Sequence, residues 1–217
     1  MGIHMANEPV TKYDRWKEIH QPYELSYHRH GNFRWRDNEW QDQWNKVLSD
    51  FMELNSDSFQ LADVLVDVGC GSRPCFDWFS HGEKHYIDPL LDSFVTIPKM
   101  APYWSGKHNL HAKPAEELVP SLVDRCVYTH CWNVLDHTYD WRQVIKNMIL
   151  YTKSGGLCLI GTDLGTKESK GHPGIDDPSA FFRLVNDNFH VVKKTSGFVH
   201  RQVALKLIKK ANPVITA

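Results

Sequence analysis

The chain has 217 residues, 41% of them hydrophobic and 24% charged, with a formal net charge of -1. That length suits one sizeable domain with an ordinary core, and a balance so near neutrality gives no field to attract nucleic acid or an anionic membrane. No apolar run approaches the roughly 20 residues of a membrane-spanning helix, and the N-terminus lacks the apolar segment of a secretory signal. The expected compartment is therefore the cytoplasm. Five cysteines are an odd number without framework spacing, which points to reduced, mostly buried thiols. Cys70 and Cys75 repeat the spacing of Cys126 and Cys131, but zinc knuckles hold each pair closer together, so no metal ligand is assigned.

The opening "MGIHM" reads as a vector remnant, with Met5 as the native start. Residues 12–60 are rich in His and aromatics and hold four of the eight tryptophans: Trp16, Trp35, Trp40 and Trp44. Tyr23 to Trp35 keeps no clear apolar period and reads as loops and short turns. From Trp40 the positions Trp44, Val47, Leu48, Phe51 and Met52 follow helical spacing, which predicts an amphipathic helix over residues 38–54. Residues 1–60 are expected to form a helical and aromatic cap, with Tyr13 to Trp35 as a lid.

From Asp63 the pattern becomes alternating strands and helices. "DVLVDVG" predicts a first strand, and "RPCFDWFSH" a helix opened by Pro74. "KHYIDP" predicts a second strand ending at Asp88. Residues 90–114 hold at most one short helix and one short strand, and "RCVYTHCW" is a clear strand beyond them. Trp141, Val144, Ile145, Met148 and Ile149 share a helix face, with the helix expected to end at Gly155-Gly156. "LCLIGTDLG" is a buried strand, Asp177-Pro178 opens another helix, and the C-terminal residues form an antiparallel hairpin through a Ser-Gly turn. Strands separated by helices predict an α/β fold with a Rossmann-like open sheet. The sheet is expected to be mostly parallel, helices on both faces, with the hairpin at an antiparallel edge. Ligands of such sheets sit beyond the carboxyl ends of the strands, where "DVGCGSRP" lies.

Two cofactor classes use a first strand that ends in a glycine turn. Gly69-x-Gly71 is followed by Ser72, Arg73 and Pro74, so the third glycine of a dinucleotide fingerprint is missing. Asp67 adds a negative charge unhelpful to a pyrophosphate but tolerable to a ligand carrying an ammonium and a sulfonium. Asp88, 17 residues after Gly71, is placed for ribose hydroxyls. "AEELVP", "HCWNVLDH" and "TKSGGLCLIGTD" follow in order.

With these motifs, about Leu61 to Lys210 resembles a class I S-adenosylmethionine-dependent methyltransferase of the small-molecule type, with residues 61–211 expected to form the Rossmann-like catalytic domain. The resemblance implies a seven-stranded sheet whose last strand is antiparallel, and S-adenosyl-L-methionine as cofactor. It further implies cofactor contacts from Asp67, Gly69, Cys70, Gly71, Asp88, Ala115, Glu116, Cys131 and Asn133. Pro114 stands where the family often has an adenine-binding Asp, and Arg73 replaces a third glycine. His137 and His172 are the candidate catalytic residues, either as base or positioning groups or as ordinary structural histidines. Arg34 or Arg36 could pair with the cofactor carboxylate. The expected function is methyl transfer to an O, N or C atom of a small-molecule metabolite. The alternatives are a non-catalytic S-adenosylmethionine-binding regulator or scaffold and, less favoured by the missing glycine, a nicotinamide-dependent oxidoreductase.

Overall fold

The computed structural model describes residues 11–30, 37–169, 172–197 and 202–211. The opening "MGIHM", Arg34, Arg36 and most of the turn of the C-terminal hairpin lie outside these residues. Seven strands form one sheet in the order β3-β2-β1-β4-β5-β7-β6. They are β1 (Val64–Val68), β2 (Glu83–Ile87), β3 (Leu110–His111), β4 (Cys126–Trp132), β5 (Thr152–Asp163), β6 (Phe189–Ser196) and β7 (Gln202–Lys209). Strands β1 to β5 pair in parallel, and β7 runs antiparallel between β5 and β6. The strand order reverses between β1 and β4, which opens a crevice at their carboxyl ends.

Strand alternation sorts the core into two layers. Val64, Val66 and Val68 face α6 (Trp141–Tyr151) and α7 (Pro178–Asn188), where Val144, Ile145, Met148, Phe181 and Val185 are buried. Leu65 faces the opposite layer with Tyr128, Leu159, Phe76 and the N-terminal residues Trp44, Val47, Leu48 and Phe51. Asp140 caps α6 by accepting the Arg142 and Gln143 N–H groups, and Asp177 caps α7 by accepting that of Ala180.

The N-terminal region is more helical than its apolar pattern predicts. α1 (Lys12–Arg15) continues through a π-helical stretch, Trp16–His20, into α2 (Gln21–His30). Its inward stripe is Trp16, His20, Glu24 and His28, spaced four residues apart. These side chains line a cavity rather than fill a core, so the period is present but not apolar. α3 (Asp37–Trp44) and a π-helical stretch, Asn45–Phe51, match the amphipathic helix expected there.

Three further expectations are corrected. "RPCFDWFSH" forms only a 3₁₀ turn, Cys75–Trp78, because Pro74 stays extended at ψ 130° and Phe79 leaves at ψ 136°. α6 ends at Tyr151 rather than at Gly155-Gly156. Thr152 turns extended there and its hydroxyl reaches the Met148 carbonyl at 2.7 Å. Residues 90–114 hold two short helices, α4 (Leu91–Phe94) and α5 (Ala101–Trp104), anchored by buried Leu91, Phe94 and Trp104.

Candidate active site

The glycine turn after β1 is built for close approach by another molecule. Gly69 and Gly71 both take positive φ, 71° and 66°, the region that favours glycine. A Cβ on Gly69 would overlap the Val134 side chain, whereas one on Gly71 would meet nothing within 4 Å. The first glycine lets β1 pack on the loop after β4, and the second leaves open space. Asp88, at the end of β2, ties the turn down. Its Oδ2 accepts the Gly71 N–H at 2.9 Å and its Oδ1 the Leu90 N–H at 2.8 Å.

The turn opens onto a cavity of about 880 Å³, within the roughly 300–1,000 Å³ typical of small-ligand sites. Asp67, Gly69, Cys70, Gly71, Asp88, Ala115, Glu116, Asn133 and His137 all line it. Two expected residues do not. Cys131 is fully buried in the α6–α7 layer, because alternation along β4 sends His130 and Trp132 to the cavity and Cys131 the other way. His172 lies beside the cavity lining, with its Nδ1 3.1 Å from Asp136 Oδ2.

Asp67 is enclosed. Cys75 Sγ lies 3.3 Å from its Oδ2 and 2.9 Å from His130 Nδ1. Burial pushes the Asp67 carboxyl up to about 7, against the opposing Cys75 hydrogen bond. Burial also holds His130 down at about 3, so it stays neutral. Neither partner was legible in the sequence, since Cys75 and His130 reach Asp67 only through the fold.

Glu116 carries two duties. Its Oε1 accepts the Tyr139 and Asp140 N–H groups at 2.8 and 3.1 Å, while buried Oε2 has no partner among the described residues. Burial raises this carboxyl to about 7 in spite of those backbone hydrogen bonds. Asn133 sits at φ 58°, a left-handed position that Asn tolerates well. Gln202 Nε2 donates to its Oδ1 at 2.7 Å.

The N-terminal helices close the other wall with Trp16, His20, Glu24, Tyr27, His28 and Trp44. Trp16 Nε1 donates to the His137 carbonyl at 2.9 Å, and its ring meets that of Tyr139 edge-on at 5.1 Å. Glu24 lies between two imidazoles, 3.3 Å from His28 and 3.6 Å from His137. Burial works to raise its carboxyl, but hydrogen bonds from His137 and His28 outweigh it and hold it well below the usual range. The spacing of Trp16, His20, Glu24 and His28 was the signal available in the sequence for this wall.

Solved structures place the fold. The chain is similar to Burkholderia thailandensis 1,6-didemethyltoxoflavin-N1-methyltransferase, solved with bound 1,6-didemethyltoxoflavin and S-adenosylhomocysteine. That match has 15% identity, covers 94% of this chain and 93% of that one, and has a TM-score of 0.63. The fold is that of the S-adenosylmethionine-dependent methyltransferases. The N-methyltransferase NodS from Bradyrhizobium japonicum WM9 shares this methyltransferase fold at 15% identity, 88% and 97% coverage and a TM-score of 0.62. A geranyl diphosphate methyltransferase shares it at 11% identity, 75% and 77% coverage and a TM-score of 0.55. No protein-family model and no curated protein matches the sequence.

Proposed function

We propose that the chain is an S-adenosylmethionine-dependent methyltransferase acting on an O, N or C atom of a small molecule. The observation that carries this reading is the convergence of Asp67, the Gly69–Gly71 turn and Asp88 on one cavity at the strand-order reversal. The residues fit the cofactor. Gly71 leaves open space, Glu116 Oε2 offers a buried acceptor, and two carboxylates suit a cationic ligand better than a pyrophosphate. When bound, the cofactor supplies an electrophilic methyl on a sulfonium. Asp88 is proposed to hold the ribose, Asp67 the ammonium, and Ala115 with Glu116 the adenine end.

Residues 1–60 act as the cap and residues 61–211 as the catalytic domain. Trp16 and Trp44 exclude water from the cavity, and His137 forms part of the wall on the acceptor side. Orientation at near-attack distance then provides most of the rate enhancement. The toxoflavin methyltransferase, solved with a small acceptor bound, supports a small-molecule acceptor here. Five free, buried cysteines agree with a reducing, cytoplasmic compartment, and no helix among the described residues is long and apolar enough to cross a membrane. Calorimetry with S-adenosylhomocysteine and with NAD tests the proposal. The former should bind and the latter should not; NAD binding without S-adenosylhomocysteine binding would overturn it.

The raised Asp67 carboxyl gives this binding a pH dependence of defined sign. A carboxyl titrating at about 7 is mostly neutral below that pH and must lose its proton to receive an ammonium. Affinity for S-adenosylhomocysteine should therefore fall as pH drops through 7, by up to about tenfold per unit, and level off above it. Asp67→Asn should reduce the slope, leaving what Glu116, also raised to about 7, contributes. A wild-type slope in that variant would assign the titration to another group.

A further inference from the structure

Three side chains beside the cavity converge in a way that sulfonium methyl transfer alone does not require. Asp136 Oδ2 lies 3.1 Å from His172 Nδ1 and 3.8 Å from His137 Nε2. The three donor atoms all fall within 4.8 Å of one another. The two imidazole rings are 4.1 Å apart and tilted by 49°, so they are not stacked face to face. A tetrahedral cation with bonds of about 2.0–2.1 Å sets its donor atoms roughly 3.3 Å apart. The two measured separations bracket that value.

The surroundings are those of ligands held ready. The other oxygen of Asp136, Oδ1, accepts the Thr162 hydroxyl at 3.3 Å, which turns Oδ2 toward the histidines. Behind His137, Glu24 Oε2 stands 3.6 Å from Nδ1, the ring nitrogen opposite the one that faces Asp136. At that distance the carboxylate acts through its charge, which favours a cation on the far side of the ring. His172 is held by a reciprocal backbone pair with Ser169, at 2.8 and 3.1 Å. An Asp–His hydrogen bond would use one imidazole. A second imidazole brought to the same oxygen, beside the Glu24 carboxylate it shares with His28, matches the needs of a cation.

We propose that Asp136, His137 and His172 form a binding site for a divalent transition-metal cation of the zinc class. Two imidazoles and one carboxylate suit zinc, cobalt, nickel or iron(II), and not calcium or magnesium, which take oxygen-rich sets. Three protein ligands leave a position open, as in catalytic rather than structural sites. His137 lines the cavity while Asp136 and His172 lie behind it, which puts the site at the cavity's edge. An acceptor hydroxyl reaching the open position would have its pKa lowered by the cation and lose its proton more readily. This last assignment rests on the methyltransferase reading; the metal site itself does not.

Cobalt(II) titrated into the chelator-treated full chain and followed by visible absorption tests the site. One equivalent should give the intense bands of four- or five-coordinate cobalt. His172→Ala should weaken binding at least about tenfold, and as a half-exposed residue it can be replaced without unfolding the protein; circular dichroism checks this. His137→Gln should do the same from the cavity side. Weak six-coordinate bands in the wild type, or equal binding by wild type and both variants, would overturn the site. S-adenosylhomocysteine calorimetry on the same samples keeps the two readings separate. Its failure would count against the methyltransferase and leave a positive cobalt result standing.

Discussion

Replacing Asp88 by alanine is expected to lower affinity for S-adenosylhomocysteine by about two orders of magnitude. Hydrogen bonds to a charged group contribute about 1.5–3 kcal/mol each, and two ribose hydroxyls on one carboxylate give at least about 3 kcal/mol. Each factor of ten in affinity takes about 1.4 kcal/mol. The structure adds a second loss. Asp88 also holds the Gly71 and Leu90 N–H groups, so alanine loosens the turn that lets a ligand approach the backbone. Asp88→Asn keeps an acceptor oxygen without the charge and should lose nearer tenfold. Calorimetry on folded variants decides it, and wild-type affinity in Asp88→Ala would mean the ribose site lies elsewhere.

Trp16→Ala should release the N-terminal helix from the cavity without unfolding the sheet. Trp16 is buried, donates to the His137 carbonyl and meets Tyr139 edge-on. Truncating a buried tryptophan costs about 3–5 kcal/mol. That loss falls on a segment whose other described ties include Glu24–His137, Arg15–Glu168 and the Lys99 ammonium on the Arg29 carbonyl. Amides of residues 12–30 should exchange about a hundredfold faster, since local opening needs less free energy than global unfolding. Turnover should drop more than tenfold as water enters the site, while the global melting temperature moves by only a few degrees. A large fall in melting temperature with unchanged relative turnover would make the helix a structural brace instead of a cap.

What the sequence disclosed about this fold depended on what each segment buries. β1, α6, α7 and β7 bury apolar side chains at regular spacing, and Asp177 and Pro178 open α7, so they read directly. Asp67, Gly69, Gly71 and Asp88 were legible because glycine spacing at a strand end has a conformational meaning, and the structure gives both glycines positive φ. α2 was not legible, since its inward stripe of Glu24 and His28 is polar and faces a cavity. β3, at two residues, is too short to carry a period. Cys131 was misassigned to the cavity because one residue along β4 reverses the face. The Cys75–His130 enclosure of Asp67 and the Asp136–His137–His172 cluster join distant segments, which no local pattern can report.

The most direct measurement is transfer of a labelled methyl from S-adenosylmethionine to a fractionated small-molecule extract. The wild-type protein should move label into a low-mass product and release S-adenosylhomocysteine in equal amount, and Asp88→Ala should do so far more slowly. Tight S-adenosylhomocysteine binding with no label leaving the cofactor in any fraction would contradict the methyltransferase reading and leave a cofactor-binding regulator.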